Sequence, residues 1–524
     1  MVGSWFSDRF GGGFSPSNFD SPTDEFIIQS FHTAVPQSTW SPAGKLTIEN
    51  NGELQTDDET ITIGGATVIA NGGTLAINNA AGIFDAVGTF DADDGAGGIG
   101  NITFSAAGRL KLKSVTADLG TSLTVGTGTI EYDFAGQQDI FNTAYNNLEI
   151  DGSGDKDVGA NLTVNGNLII TNGTLDLTNN GLGNFDLALA TDFSMAAGSL
   201  TAGTSDAHTV GGSWTETGGT FAPTAGTFTF IGDAKTITQS GNNFFNLTIA
   251  AGTKTAGSDL DVNGALLIDP GTLDMSGTNY TLDLEGDLTI ANAGTFTPQA
   301  STTHDVAGSW DDEGGTFTPG AGTIILSGDS KTITTAGGNN FFNLTIAAGT
   351  KTAASDLDVN GALLIDPGTL DMSVTDYTLD LEGDLTIANA GTFTPQGSNT
   401  HNVAGSWDDQ GGTFTPTNGT IIFSGDSKTI TTAGGNNFYG FTIAGTGNLT
   451  TGSSLDVNGQ SNILASGKLS VGSDDVDFGP TQQCNIAGEL ELSTANVVSH
   501  GLSLIHISEP TRLRRISYAV FCLK

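Results

Sequence analysis

Apolar and polar residues alternate along this chain in short phrases. In one stretch Leu357, Val359, Leu363, Ile365, Leu370 and Met372 share one side of the pattern, with Asp and Asn on the other. A period of two is the signature of a strand with one buried face. The phrase repeats: Asp358-Val359-Asn360-Gly361, Asp380-Leu381-Glu382-Gly383 and Asn402-Val403-Ala404-Gly405 lie 22 residues apart. Each is followed by a Gly-Thr-apolar corner, at Gly368-Thr369-Leu370, Gly391-Thr392-Phe393 and Gly412-Thr413-Phe414. No long stretch keeps the three-and-four spacing of an amphipathic helix. One strand-corner-strand phrase copied many times predicts an all-β chain wound as a parallel, right-handed β-helix (solenoid), one row of side chains facing inward. Glycine at the corners is expected to supply positive φ.

A longer period lies over the short one. The string NNFFNLTIAAGTKTA starts at Asn242 and again at Asn339, 97 residues on, and residues 242–338 and 339–435 differ at only about ten positions. Diverged copies place Leu46-Thr47-Ile48 and Leu148-Glu149-Ile150 where Leu247-Thr248-Ile249 stands. The expected organisation is a partial leading repeat over 1–45, repeats over 46–147, 148–246, 247–343 and 344–440, and a partial fifth over 441–501. Five coils of about 19 residues would fill one period, and about 26 coils would make a rod of roughly 120 Å. Tandem immunoglobulin-like β-sandwiches fit the same period. They give no reason for one short phrase to recur inside each unit.

Charge changes the picture of partners. With 57 acidic and 16 basic residues the net charge is −41, a surface that repels nucleic acid and anionic lipid and that cations such as calcium would screen diffusely. Two cysteines, Cys484 and Cys522, make neither a disulfide framework nor a zinc site. No apolar run is long enough to span a bilayer. The opening Gly3-Ser4-Trp5, followed by Gly12-Gly13-Phe14-Ser15-Pro16, echoes Gly308-Ser309-Trp310 and Gly314-Gly315-Thr316-Phe317-Thr318-Pro319, so Met1 reads as entering mid-repeat.

The phrases Gly322-Thr323-Ile324, Gly328-Asp329-Ser330-Lys331-Thr332-Ile333 and Phe342-Asn343-Leu344-Thr345-Ile346 resemble the repeats of large bacterial cell-surface proteins of the filamentous-haemagglutinin-like, adhesin type. The resemblance covers nearly all of residues 1–500. It implies export, surface display and a non-catalytic structural or adhesive rod, with glycans or cell-surface proteins as the partners such a rod admits. A polysaccharide-active β-helix enzyme and a phage tail-fibre segment are the rival classes.

Candidate chemistry is sparse. His208, His304 and His401 precede Trp214, Trp310 and Trp407 at equivalent positions, but copies about five coils apart, ~24 Å, cannot share one ion. Asp311-Asp312-Glu313 and the loop carrying Asp91, Asp93 and Asp94 offer hard oxygens for calcium, yet neither matches a defined calcium loop. Arg109, Lys111 and Lys113 alternate on one strand, a basic row without evident acidic partners that could meet a glycan. No residue is assigned a catalytic, cofactor-binding or metal-binding role.

Residues 502–524 break the rhythm. Leu502-Ser503-Leu504-Ile505-His506-Ile507-Ser508-Glu509-Pro510-Thr511-Arg512 resembles a translated transposase adaptor from a sequencing library, and Ile516 to Lys524 resembles the flow-cell primer that follows it, with Leu513-Arg514-Arg515 where a sample index would fall. Such a scar has no part in the fold. Deleting Leu502 to Lys524 is expected to leave the urea midpoint of the remaining chain unchanged. A drop in that midpoint would give the segment a structural role.

Overall fold

The computed structural model describes residues 21–499 apart from 94–98, 206, 396, 434, 480–483 and 494–496. The tail at 502–524, the opening segment, Asp94 and Cys522 lie outside the described residues. The chain divides into two units, Met1–Asp261 and Val262–Lys524. Every strand pair described is parallel, and among the described residues no helix is long and apolar enough to cross a membrane. Each unit is a β-solenoid, as the alternation predicts. The turns number about 22 in all, rather than 26.

In the first unit, strands such as Ile83–Ala86, Arg109–Leu112, Thr129–Tyr132 and Asn147–Ile150 stack in register along one face. Their inward residues Phe84, Leu110, Ile130 and Leu148 are buried. Two five-stranded sheets, one running from Glu25–Ile28 to Ala117–Asp118 and one from Thr33–Ala34 to Ser122–Thr124, form the other sides of its opening turns.

In the second unit the row expected from the sequence is present. Val359 pairs with Leu381 and Leu381 with Val403, all three fully buried. Leu357, Leu363, Ile365, Leu370 and Met372 face the same interior. Removing a side chain of that size from water contributes about 1.5–3 kcal/mol, and a lone turn, lacking neighbours above and below, would gain almost none of it.

The corner glycines divide: in Gly-Thr-apolar phrases of the first unit Gly173 and Gly219 take the expected positive φ, at 70° and 84°, whereas Gly368, Gly391 and Gly412 do not, and a Cβ on Gly391 would collide with the carbonyl of Ile365. At Gly361, Gly383 and Gly405 φ is not positive; a Cβ added to Gly405 would collide with the carbonyl of Gly383, and one on Gly383 with that of Gly361. The turns approach too closely there for a side chain. At two corners of the second unit the residue just before the corner glycine takes the positive φ instead, Gly314 and Gly411 both at 105°.

The repeat and the turn are incommensurate. From Asn343–Ile346 to its copy Gly440–Ile443 the chain passes through fourteen strand positions, one of them reduced to the single bridge of Phe438 with Val457. Fourteen positions on three faces make four and two-thirds turns, not five. The two copies accordingly lie in different sheets: Asn343–Ile346 in a twelve-stranded sheet with Leu363–Ile365, Gly440–Ile443 in a seven-stranded sheet with Ser461–Ile463. His304 and His401 are separated in the same way.

Val359→Asp would bury an unpaired carboxylate in the stacked row and is expected to lower stability by about 4 kcal/mol. Asp358 beside it faces out opposite Asp380, and burial together with that neighbour raises its pKa above the usual carboxylate value. Asp358→Asn should therefore raise the urea midpoint slightly at neutral pH. Equal midpoints for the two variants would mean the faces are reversed.

Candidate functional site

The Trp corner begins with one strand, Trp310–Asp312, whose alternation sends both Trp310 and Asp312 inward. Trp310 packs edge-on against Phe317 at 4.7 Å and tilted against Phe341 at 4.9 Å. Asp312 is 2% exposed. Its Oδ1 accepts the backbone N–H of Gly314 and of Gly315, both at 3.0 Å, and its Oδ2 accepts Asn339 Nδ2 at 2.6 Å and the Ala336 N–H at 3.3 Å. Four donors occupy this carboxylate, and it ties the 336–339 loop over the aromatic cluster. In Asp311-Asp312-Glu313 the central acid thus has its donors within the protein. Asp409 repeats the arrangement with Asn436. In the first unit Glu216 replaces Asp and accepts Trp214 Nε1–H at 2.6 Å and Asn242 Nδ2 at 2.8 Å.

The three histidines are structural for a reason the sequence does not display. His208, His304 and His401 are buried, and each Nδ1 accepts a backbone N–H one turn away, from Leu187, Leu282 and Leu379 respectively, at 3.1 Å. Each imidazole thus fills a place in a strand ladder as a neutral ring carrying its proton on Nε2.

Buried lysines were missed altogether. Lys156 is fully buried with its ammonium 3.0–3.2 Å from five carbonyl oxygens, those of Phe134, Gly136, Gly152, Ser153 and Gly154. Lys254 donates to Gly232 and Ala251, and Lys351 to Gly328 and Ala348. Leu449 stands in the corresponding strand position of the next copy, facing Lys428 as Lys351 faces Lys331. The sequence signal of these lysines is a Lys at an inward position of the alternation, between two Asp at Lys156 and between two Thr at Lys254 and Lys351.

The basic row has partners after all. Lys111 Nζ lies 2.8 Å from Glu131 and 3.3 Å from Asp133, Lys113 Nζ 3.1 Å from Asp85 and 3.4 Å from Asp133, and Arg109 pairs with Glu131 and Glu149. Glu131 lies directly opposite Lys111 one turn after, while Arg109 reaches Glu131 and Glu149, and Lys113 reaches Asp85, two residues off register. The row is a charge ladder across four strands, and the reading of a basic strand without evident partners is corrected.

Two groups of three carboxylates gather among the described residues, each with oxygens within 4.8 Å of one another. In one, Asp151 joins Glu131 and Asp133 of the ladder just described. Asp91 and Asp93 meet Asp118, which enters because Asp91 pairs with Asp118 in the next turn. Asp91 accepts the Asp93 N–H at 3.0 Å and Asp118 the Gly120 N–H at 2.8 Å, so both already shape their turns. No register could be read from sequence spacing here, and Asp118 was not foreseen.

No protein-family model matches the chain, and no curated protein matches it.

Burial holds the pKa of His304 below the ordinary imidazole value, against the opposing effect of the Gln299 carbonyl. Below about pH 6.5 the unfolded chain binds a proton that the folded imidazole refuses, so stability falls as pH drops. His304→Gln supplies an acceptor that does not titrate. Its urea midpoint is expected to fall less than that of the unaltered chain between pH 7 and pH 5; parallel profiles would show that His304 titrates alike in both states.

Proposed function

We propose that this chain belongs to an extracellular, non-catalytic structural or adhesive surface protein in which the solenoid serves as a spacer. One observation carries the reading: residues 242–338 and 339–435 are copied almost unchanged, and the residues that could bear chemistry in them are engaged in holding turns together. His304 completes a strand ladder, Asp312 ties down a loop, and the Lys351 ammonium binds carbonyls. Duplication of such a unit adds length and repeats no reaction. Each turn pairs only with its neighbours, so repeats can be gained or lost without disturbing distant parts. The acidity, −41 net, suits cation-rich surroundings outside the cell and disfavours nucleic acid as a partner.

Copy-number tolerance is the test. Excision of residues 339–435 joins Gly338 to Asn436 and recreates the natural Gly-Asn junction. The shortened chain is expected to stay all-β by circular dichroism and to melt within about 5 °C of the parent. On cells expressing the gene it should remain open to surface proteolysis. Loss of cooperative unfolding, or a chain retained inside the cell at both lengths, would sink the spacer reading.

A further inference from the structure

The copies are not alike everywhere. Of the roughly ten substitutions between residues 242–338 and 339–435, two adjacent ones, Gly320 to Thr417 and Ala321 to Asn418, fall on a single corner. Just beyond the period, Tyr439 stands where Phe342 stood. Thr417 and Tyr439 border one open groove of about 290 Å³, whose lining also includes Thr415, Asn437, Phe438 and Asn458. Phe438 forms the buried floor, and the half-buried Tyr439 ring lies against Gly459, which lacks a Cβ that would crowd Tyr439 Cδ1 at 3.0 Å.

The groove is uncharged in a chain of net charge −41; none of its lining residues is Asp, Glu, Lys, Arg or His. The polar side chains of its lining are the Asn437 and Asn458 amides, the Thr415 and Thr417 hydroxyls and the Tyr439 phenol. Among the described residues neither the Asn437 nor the Asn458 side chain has a hydrogen-bond partner. At the equivalent corner one repeat earlier Asn340 Nδ2 donates to Asn360 Oδ1 at 3.3 Å and closes the pair. Divergence has thus opened the amide pair and added hydroxyls beside an accessible aromatic ring.

We propose that this corner binds one ring of a neutral glycan. An aromatic face accepts the apolar C–H face of a pyranose, while carboxamides and hydroxyls, each able to donate and accept, match its hydroxyl groups. Absence of cationic lining disfavours sulfated or acidic sugars. The volume stands at the small end of ligand sites, enough for one ring and its linkage, so affinity should be weak, about millimolar. This deepens the adhesive reading and rests on it. The spacer architecture stands whatever this groove does.

Saturation-transfer difference NMR on the full chain, with lactose and N,N′-diacetylchitobiose as neutral probes and a heparin disaccharide as the anionic one, is the experiment. Transfer to the ring protons of at least one neutral probe is expected, falling at least fivefold in Tyr439→Ala and in Asn437→Ala and unchanged in Phe342→Ala. Asn437→Ala alters a loop side chain without partners and carries the test should Tyr439→Ala fail to fold. No transfer to either neutral probe, transfer equal in Asn437→Ala, or stronger transfer to the heparin disaccharide would each overturn the proposal. None of these outcomes bears on the excision experiment, which tests the spacer alone.

Discussion

Everything in this structure depends on one constraint: a turn of about twenty residues cannot bury its own apolar side chains. Leu381 is covered because Val359 lies below it and Val403 above it in the same column, and neither contact exists within the turn. The favourable term is the shared interior between neighbours, and it is offset by the entropy of ordering each turn. This explains why strands of three or four residues suffice and why glycine is fixed where turns touch. The Gly361, Gly383 and Gly405 column allows stacked backbones to meet without a side chain between them.

The copied sequence unit and the structural turn are different lengths, and this has a consequence for any surface feature. Because one repeat advances the chain by four and two-thirds turns, equivalent outward residues of consecutive copies point from different faces of the second unit. A partner that recognised one copy would not find the next beside it. Conversely, the interior is indifferent to the shift, since every face offers the same apolar rows. Duplication can therefore proceed freely while each copy's exterior meets a new environment, which is where the Thr417 and Tyr439 corner has diverged.

What was legible in the sequence was whatever repeats along the strand. The alternation of Leu357, Val359, Leu363 and Ile365 specified which side is buried, and the 22-residue recurrence specified that turns stack. What depends on register between turns was not legible. Arg109, Lys111 and Lys113 looked unpartnered because Asp85, Glu131, Asp133 and Glu149 are 20 to 40 residues away and become neighbours only after stacking. Asp118 joined Asp91 and Asp93 by the same route. Counting five coils per repeat failed because the five phrases counted, at Asp358, Asp380, Asn402, Thr420 and Phe441, lie along one sheet, while the copy of the first, Leu455–Val457, falls one face short of a fifth full turn and lies in a different sheet.

The polar groups inside the solenoid bear on register rather than on net stability. Apolar columns of near-identical turns discriminate weakly between correct stacking and a slip, since Leu over Val costs little more than Leu over Leu. A lysine ammonium within its ring of carbonyls, an imidazole Nδ1 facing one strand N–H, and a carboxylate clasping Asn339 are satisfied in one alignment only. In a slipped stack each would be left buried without its partners, a penalty of about 1–3 kcal/mol for a neutral group and more for a charged one. All three kinds of polar lock occur within the single copy 339–435, at Lys351, His401 and Asp409, so a slip within that copy would forfeit all three together. The apolar rows make stacking favourable, and the buried His, Asp and Lys make one stacking preferred.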